Sequence, residues 1–359
     1  MNIFDFLLVI PTICTSIGTI MQELLLPYWI STFDKGAGQY FILLFVSLIS
    51  TILFVLLIGI MLCSKKVTTP SLKKYSLNYM FQGLSNCLYG IFYVYSASID
   101  RTPPIFFVIF SNIGILFTIP LVKACVKRQS KYCSLMPIAS IIFLFIAMII
   151  ILIAKILYDV TDKQYNWTNI FWIGMILFGS LFNASYNTIQ EKYFNDTNKK
   201  LSNFDVIFNY FYTIMWGFIY QLTFILLFWS VDIIPLFGSS NIKTFINNIY
   251  NSSLCYFNFE CSYNNLLYGT FFIIGYVITF IGLAFENADS STIIIYIPTI
   301  QTPVVVAIFM TIGMWTNSTP LWAIISSVIL IFISLVLWKH WENKNKQSLT
   351  IISRRMTVV

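Results

Sequence analysis

Apolar runs of about twenty residues, separated by short polar connectors, follow one another along nearly the whole chain. A helix crossing a bilayer needs about 20 mostly apolar residues. Ten such runs are present, at 7–30, 40–63, 77–97, 104–124, 136–158, 168–190, 206–230, 267–285, 292–314 and 320–338. The connectors are short except for 231–266. The pattern predicts an all-α integral membrane protein with ten transmembrane helices. The first run has no basic leader and carries Gln22 and Glu23, so it is read as a retained span and not a cleaved signal peptide.

Polar residues recur inside these runs at helical spacing. Span 1 carries Thr12, Thr15, Ser16, Thr19, Gln22 and Glu23 on one face, and span 3 carries Gln82, Ser85, Asn86, Tyr89, Tyr93 and Ser96. Span 4 offers Ser111, Asn112 and Thr118, and span 6 offers Asn183, Tyr186, Asn187 and Gln190. Span 7 offers Asn209, Thr213, Trp216 and Tyr220, and span 9 offers Tyr296, Thr299, Gln301 and Thr302. Polar groups in hydrocarbon face the bundle interior or a wet cavity. Two readings stay open: hydrogen bonds between helices, or the lining of an aqueous solute path. The length of the stripes in spans 1 and 3 favours the path. Its aromatic faces, Tyr89, Tyr93, Tyr186 and Trp216, suit amphipathic or cationic solutes. Glu23 and Glu286 either titrate with proton flux or lie in water at span ends. Pro298 and Pro303 flank Gln301 and predict a bent or partly unwound ninth span that acts as a gate.

Composition agrees with this class. Hydrophobic residues make up 58% of the chain and charged residues 10%, against about 25% charged in a soluble domain. The net charge of +7 comes from basic residues that flank spans and form no nucleic-acid stripe. Lys65, Lys66, Lys73 and Lys74 follow span 2, and Lys123, Lys127, Arg128 and Lys131 follow span 4. Lys192, Lys199 and Lys200 follow span 6, and the tail holds Lys339, Lys344, Lys346, Arg354 and Arg355. These are most of the 21 Lys and Arg. All fall on one side if both termini are cytosolic, as the positive-inside rule requires.

Ser96–Thr102 returns loosely at Glu286–Thr292, each between an apolar span and a span with a polar break. Five spans separate the copies, so they face opposite sides of the membrane. The expectation is two inverted five-helix repeats, 1–158 and 159–339, followed by a cytosolic tail at 340–359. In the lumenal loop 231–266, Asn241–Tyr250 places Ile242, Phe245, Ile246 and Ile249 on one face of a surface helix. Cys255 and Cys261 can pair there or remain thiols. Sequons at Asn166 and Asn251 fall on the lumenal side, where glycosylation is expected.

The sole His is His340. No metal cluster, Walker A motif or G-x-S-x-G sequence occurs, so neither enzyme activity nor a metal or cofactor is expected. The expected partners are the bilayer, a small solute and protons, with the protein a monomer.

The ten spans in two inverted halves resemble the drug/metabolite transporter superfamily. Three segments are similar to its chloroquine-resistance-transporter-like branch: Phe182–Tyr193, Ile300–Pro303, and the long loop with its helix and cysteines. The branch's loop carries more cysteines than the two found here. The resemblance implies proton- or gradient-driven export of amino acids, small peptides or organic cations from an acidic vacuole or lysosome-like organelle. A nucleotide-sugar or metabolite exchanger of the Golgi or endoplasmic reticulum is a second reading, but it needs cavity cations, and only Lys155 approaches a span. A non-transporting membrane receptor or scaffold is a third, and it would tolerate loss of the polar stripes.

Overall fold

Threonine and serine hydroxyls inside the helices donate to the carbonyl one turn back. Thr19 bonds to Thr15 O at 2.7 Å, Thr51 to Ser47 O at 2.7 Å, Thr188 to Ala184 O at 2.8 Å and Thr279 to Gly275 O at 2.8 Å. This back-bonding satisfies a hydroxyl within its own helix, with no need of water. It lets polar stripes persist in long helices.

The computed structural model describes residues 3–33, 38–63, 77–99, 101–102, 104–111, 114–125, 135–161, 167–196, 202–228, 242–257, 261, 263–289, 322–323, 325–334, 336–337 and 340–341. Among these no strand occurs. The helices are α1 (Ile3–Ser31), α2 (Gly38–Cys63), α3 (Leu77–Ser96), α4 (Pro104–Ser111), α5 (Gly114–Cys125), α6 (Leu135–Thr161), α7 (Trp167–Asp196), α8 (Asn203–Phe228), α9 (Ile242–Phe257) and α10 (Tyr263–Asp289). A last helix, α11, spans Ile325–Ser334. The expected fourth span falls on α4 and α5, with residues 112–113 between them outside the described residues. Among the described residues, two helical segments are long and apolar enough to cross a membrane by themselves, Gly38–Cys63 and Tyr263–Glu286.

The chain divides into two compact units, and the division does not follow the sequence halves. The first comprises Met1–Lys127 with Trp167–Thr302, and the second Arg128–Asn166 with Pro303–Val359. In the second unit α6 and α11 pack antiparallel. Ser140 and Ser334 share a hydroxyl–hydroxyl contact of 2.8 Å and each reaches the other's backbone carbonyl. Ser327 donates to Ala147 O at 2.9 Å.

In the first unit the main pairings are α1 with α10, α3 with α7 and α8, and α2 with α8. Their directions follow from which residues meet. Thr15 lies by Gly282 and Trp29 by Gly269, so α1 and α10 are antiparallel. Gln82 meets Thr213 while Gly90 lies by Gln221, so α3 and α8 are parallel. Tyr79 meets Tyr193 while Phe92 stacks on Phe182, so α3 and α7 are antiparallel. Ser47 meets Gln221 and Phe54 meets Tyr210, so α2 and α8 are antiparallel. A cluster built on Phe54, Tyr186, Tyr210, Ile214 and Phe280 fills the space where α2, α7, α8 and α10 converge.

Backbone contact sets the α1–α10 spacing. A Cβ on Gly18 would lie 2.5 Å from Gly275 O, and one on Gly275 would lie 2.8 Å from the Met21 Cβ. Only residues without a side chain allow helices so close. The start of α8 is fixed by a reciprocal capping box. The Asp205 amide donates to Ser202 Oγ at 3.2 Å, and Asp205 Oδ2 accepts from the Ser202 amide at 3.1 Å and hydroxyl at 2.7 Å.

The expected loop helix forms as α9, but its buried face differs from the expected one. Ile242 and Ile246 are half or more exposed, while Phe245, Ser252, Cys255 and Tyr256 are buried. The reason is aromatic packing on α1 and α2: Phe245 meets Tyr40 edge-on, and Tyr256 meets Trp29, Phe41 and Phe45. Cys255 and Cys261 form a disulfide with Cα atoms 5.0 Å apart.

Candidate functional site

Polarity is inverted between interior and surface in these helices. On α1, Thr15, Thr19 and Glu23 are buried while Ile10, Ile13 and Ile17 are about half exposed. On α2 the outward residues include Leu56 and Ile60. A helix in water turns its apolar stripe inward; α1 does the reverse.

The first interior site is the α1–α10 seam. Thr15 Oγ1 lies 3.0 Å from Pro11 O and 3.2 Å from Glu286 Oε2, either of which can accept its proton. Gln22 Nε2 donates to Thr279 Oγ1 at 2.6 Å and to Gly18 O at 3.3 Å. Glu23 Oε1 accepts from the Ser111 hydroxyl at 2.7 Å. Glu23 is 3% and Glu286 2% exposed. The water-exposed reading of these carboxylates therefore fails: both lie inside the bundle, held by hydroxyls from neighbouring helices. Thr15 is level with Gly282 across the seam, which puts Glu286 near Pro11. The Glu286 carboxylate itself reaches Thr15, eight residues before Glu23, roughly 12 Å along α1 at about 1.5 Å per residue. Thr15, Thr19, Gln22 and Thr279 occupy the interval.

The second site lies where α3, α7 and α8 meet. Tyr210 OH donates to Gln190 Oε1 at 3.0 Å, and Gln190 Nε2 donates to Asn209 Oδ1 at 2.7 Å. Thr213 Oγ1 lies 3.0 Å from Gln82 Oε1 and 2.9 Å from Asn209 O. Gln82, Gln190, Asn209 and Thr213 are fully buried. Asn86 is buried beside Gly217, and Trp216 packs on Gly83. Asn187 donates to Asn183 Oδ1 and Asn183 O, each at 3.1 Å. Tyr89 and Tyr93 have ring centroids 5.2 Å apart, and Tyr93 lies 4.6 Å from Phe107.

The sequence candidates thus divide. Thr15, Thr19, Gln22 and Glu23 line the seam, while Gln82, Asn86, Thr213 and Trp216 lie along the α3–α8 interface. Asn183 and Asn187 pair within α7. Asn112, Asn166, Pro298, Gln301, Thr302 and Pro303 lie outside the described residues, as does the whole ninth span. Asn251 is exposed on α9. Thr279 was missed, although Gly275, Thr279, Gly282 and Glu286 form a readable i, i+4, i+7, i+11 stripe.

A third cluster joins the end of α1 to α9 and α10. The Asn265 amide donates to Thr32 Oγ1 at 2.8 Å and to Cys255 Sγ at 3.3 Å, and its oxygen accepts from Trp29 Nε1 at 3.2 Å. Nearby in the α3–α4 connection, the Arg101 guanidinium sits 4.3 Å from the Trp172 ring centroid and donates to Tyr95 O at 2.8 Å.

No family model matches the sequence, and no curated protein does. Among solved structures 20 chains match. One of them, a protein known by its crystal structure, aligns over 90% of this chain and 96% of its own with a TM-score of 0.50 at 10% identity. That likeness is one of fold alone, and function has to be argued from the site.

Proposed function

We propose that this chain is a secondary active transporter: a ten-span membrane carrier with two inverted five-helix repeats that moves a small solute by alternating access, coupled to protons. The observation that carries the reading is the burial of Glu23 and Glu286 on one polar seam within helices whose outer faces are apolar. Ionisable side chains at membrane depth are costly, and they mark ion or proton paths.

The packing supports the repeat. A five-span offset exchanges span 1 with 6 and span 3 with 8. It therefore exchanges the α1–α10 pair with the α7–α3 pair, the two heaviest contacts of the first unit. It maps α2–α8 onto itself, and likewise α6–α11. The antiparallel course of α10 against α1 is what alternation demands if α9 lies on the surface and does not cross. The same alternation places Tyr79 and Tyr193 at the end flanked by basic connectors, which is the cytosolic end under the positive-inside rule.

The solutes proposed are amino acids, small peptides or organic cations, exported from an acidic vacuole or lysosome-like compartment, as in the chloroquine-resistance-transporter-like branch that the sequence resembles. The test is uptake into proteoliposomes under an imposed pH gradient. Wild-type protein should concentrate solute against its gradient. Glu23→Gln and Glu286→Gln should retain exchange but lose the pH drive. Accumulation by both variants at wild-type level would remove the seam from coupling.

A further inference from the structure

Helix α9 has two apolar sides. One, built on Phe245, Cys255 and Tyr256, is buried, with its rings against α1 and α2. The other carries Ile242, Ile246, Tyr250 and Phe257, each half or more exposed. At 3.6 residues per turn these four fall within one arc of about 80°, next to the buried side. Thr244, Asn247, Asn248 and Asn251, at i, i+3, i+4 and i+7, occupy the side away from that arc. Lys243 is exposed at the margin of the arc.

Where the arc points is fixed by α2. Phe41, Phe45, Leu48, Ile52 and Leu56 follow one another at i, i+4, i+7, i+11 and i+15 along a single face of that helix. α9 covers the start of this stripe: Tyr256 lies on Phe41 and Phe45, and Phe257 meets Phe45 edge-on with ring centroids 5.6 Å apart. Leu48, Ile52 and Leu56 are uncovered, at 43%, 46% and 56% exposure. α2 is long and apolar enough to cross a membrane, so its uncovered stripe is the side turned to acyl chains. α9 rests on that stripe from outside.

The tilt of α9 follows from two ring contacts. Phe245 meets Tyr40, and Phe257, twelve residues later, meets Phe45, five residues further along α2. About 18 Å of α9 thus match about 7.5 Å of α2 at about 1.5 Å per residue, so α9 crosses α2 nearer to perpendicular than to parallel. Phe257 belongs to the exposed arc and touches the deeper ring. The arc therefore looks along the stripe toward Leu48 and Ile52, and the Asn251 side looks away from it.

We propose that α9 is a membrane-interfacial helix: it seats Ile242, Ile246, Tyr250 and Phe257 at the boundary between headgroups and acyl chains, in the leaflet where α2 begins. An apolar arc edged by Tyr and Lys, with amides on the far side, is the build of a helix that lies in this layer. Lipid is the occupant because the arc continues onto the uncovered stripe of α2, a surface that acyl chains already cover. Asn251 is left in water, where its sequon is open to glycosylation. The inference rests on the membrane reading of the chain and is independent of what the chain transports.

In the test, full-length protein carries p-acetylphenylalanine in place of Ile246, Asn247 or Leu56, one at a time. Each is converted to a nitroxide in phosphatidylcholine nanodiscs, which leaves the seven cysteines untouched. Collision rates with oxygen, which concentrates among acyl chains, and with a nickel chelate, which stays in water, are read by electron paramagnetic resonance. The oxygen-to-nickel ratio at Ile246 should exceed that at Asn247 about threefold or more and fall below that at Leu56, as expected for a helix at the interface. Equal ratios at Ile246 and Asn247 would put the arc in water and overturn the proposal. Spin–spin broadening at Ile246, or low collision rates with both reagents, would put a second copy or buried protein there and overturn it as well. A nickel-accessible Leu56 would sink the membrane reading itself, whereas a lipid-facing Leu56 beside a water-facing Ile246 would sink only the role of α9. Unmodified protein decides the matter if a labelled variant fails to fold: phosphatidylcholine with a diazirine in its acyl chain should leave photo-adducts on Ile246, Tyr250 or Phe257, and no adduct within α9 overturns the proposal.

Discussion

Gly18→Ala adds one methyl group at the tightest point of the α1–α10 seam. The new Cβ would sit 2.5 Å from Gly275 O and 2.7 Å from the Thr279 amide nitrogen. Both neighbours are backbone and cannot swing aside. Comfortable carbon contacts begin near 3.5 Å, so the helices would have to part by about 1 Å. Overpacking of this kind costs about 1–3 kcal/mol, and helix propensity returns up to about 1 kcal/mol when Ala replaces Gly. The separation also stretches the Gln22–Thr279 bond, now 2.6 Å, and the Thr15–Glu286 contact, now 3.2 Å. A net loss of about 1–2 kcal/mol is expected. The assay is thermal unfolding in detergent micelles, followed by tryptophan fluorescence, with Gly59→Ala and Gly174→Ala as controls. At those two positions a Cβ meets nothing within 4 Å, so Ala should be neutral or stabilising by up to about 1 kcal/mol. A Tm several degrees lower for Gly18→Ala, with the controls unchanged or higher, is the expected result. A Gly18→Ala protein as stable as the two controls would refute the claim that backbone contact sets the seam.

Three further outcomes follow from other contacts. Ser202→Ala removes the hydroxyl that caps α8 and should lower stability by about 0.5–2 kcal/mol in denaturant titration, with no change in solute selectivity. Asn265→Leu removes the acceptor of Trp29 Nε1 and the donor to Thr32 Oγ1; amide exchange in α9 and at the start of α10 should quicken at least several-fold while the α3–α8 region keeps its protection. Arg101→Lys should weaken the ring contact with Trp172, because an ammonium does not stack as a planar guanidinium does; a Tm loss smaller than that of Arg101→Ala is expected, and equal Tm for all three proteins would count against the contact.

Most helix positions among the described residues were legible because apolar length and polar stripes are local properties. The α1 stripe of Thr15, Thr19 and Glu23 is visible at helical spacing, and all three residues are buried. Partners were not legible. Thr15 meets Glu286 across 271 residues and Ser111 meets Glu23 across 88, and no periodicity predicts which stripe faces which. Glu286 looked like a water-facing span end because only its own helix was in view; Thr15 and α1 enclose it. The face of α9 was misjudged for a similar reason. Ile242 and Ile246 are the more apolar residues by type, but Tyr40, Phe41 and Phe45 of α2 select Phe245 and Tyr256 through ring packing.

The α1–α10 seam also bears on how the protein is made. Gln22 and Thr279 are 257 residues apart. At about 5–20 residues per second of synthesis, α1 waits roughly 13–50 s for the helix it packs against. During that time Gln22 is without its Thr279 partner. Among the described contacts α4, which brings Ser111 to Glu23, is the candidate that the ribosome delivers first. Glu23 thus gains Ser111 of α4 long before Gln22 gains Thr279 of α10.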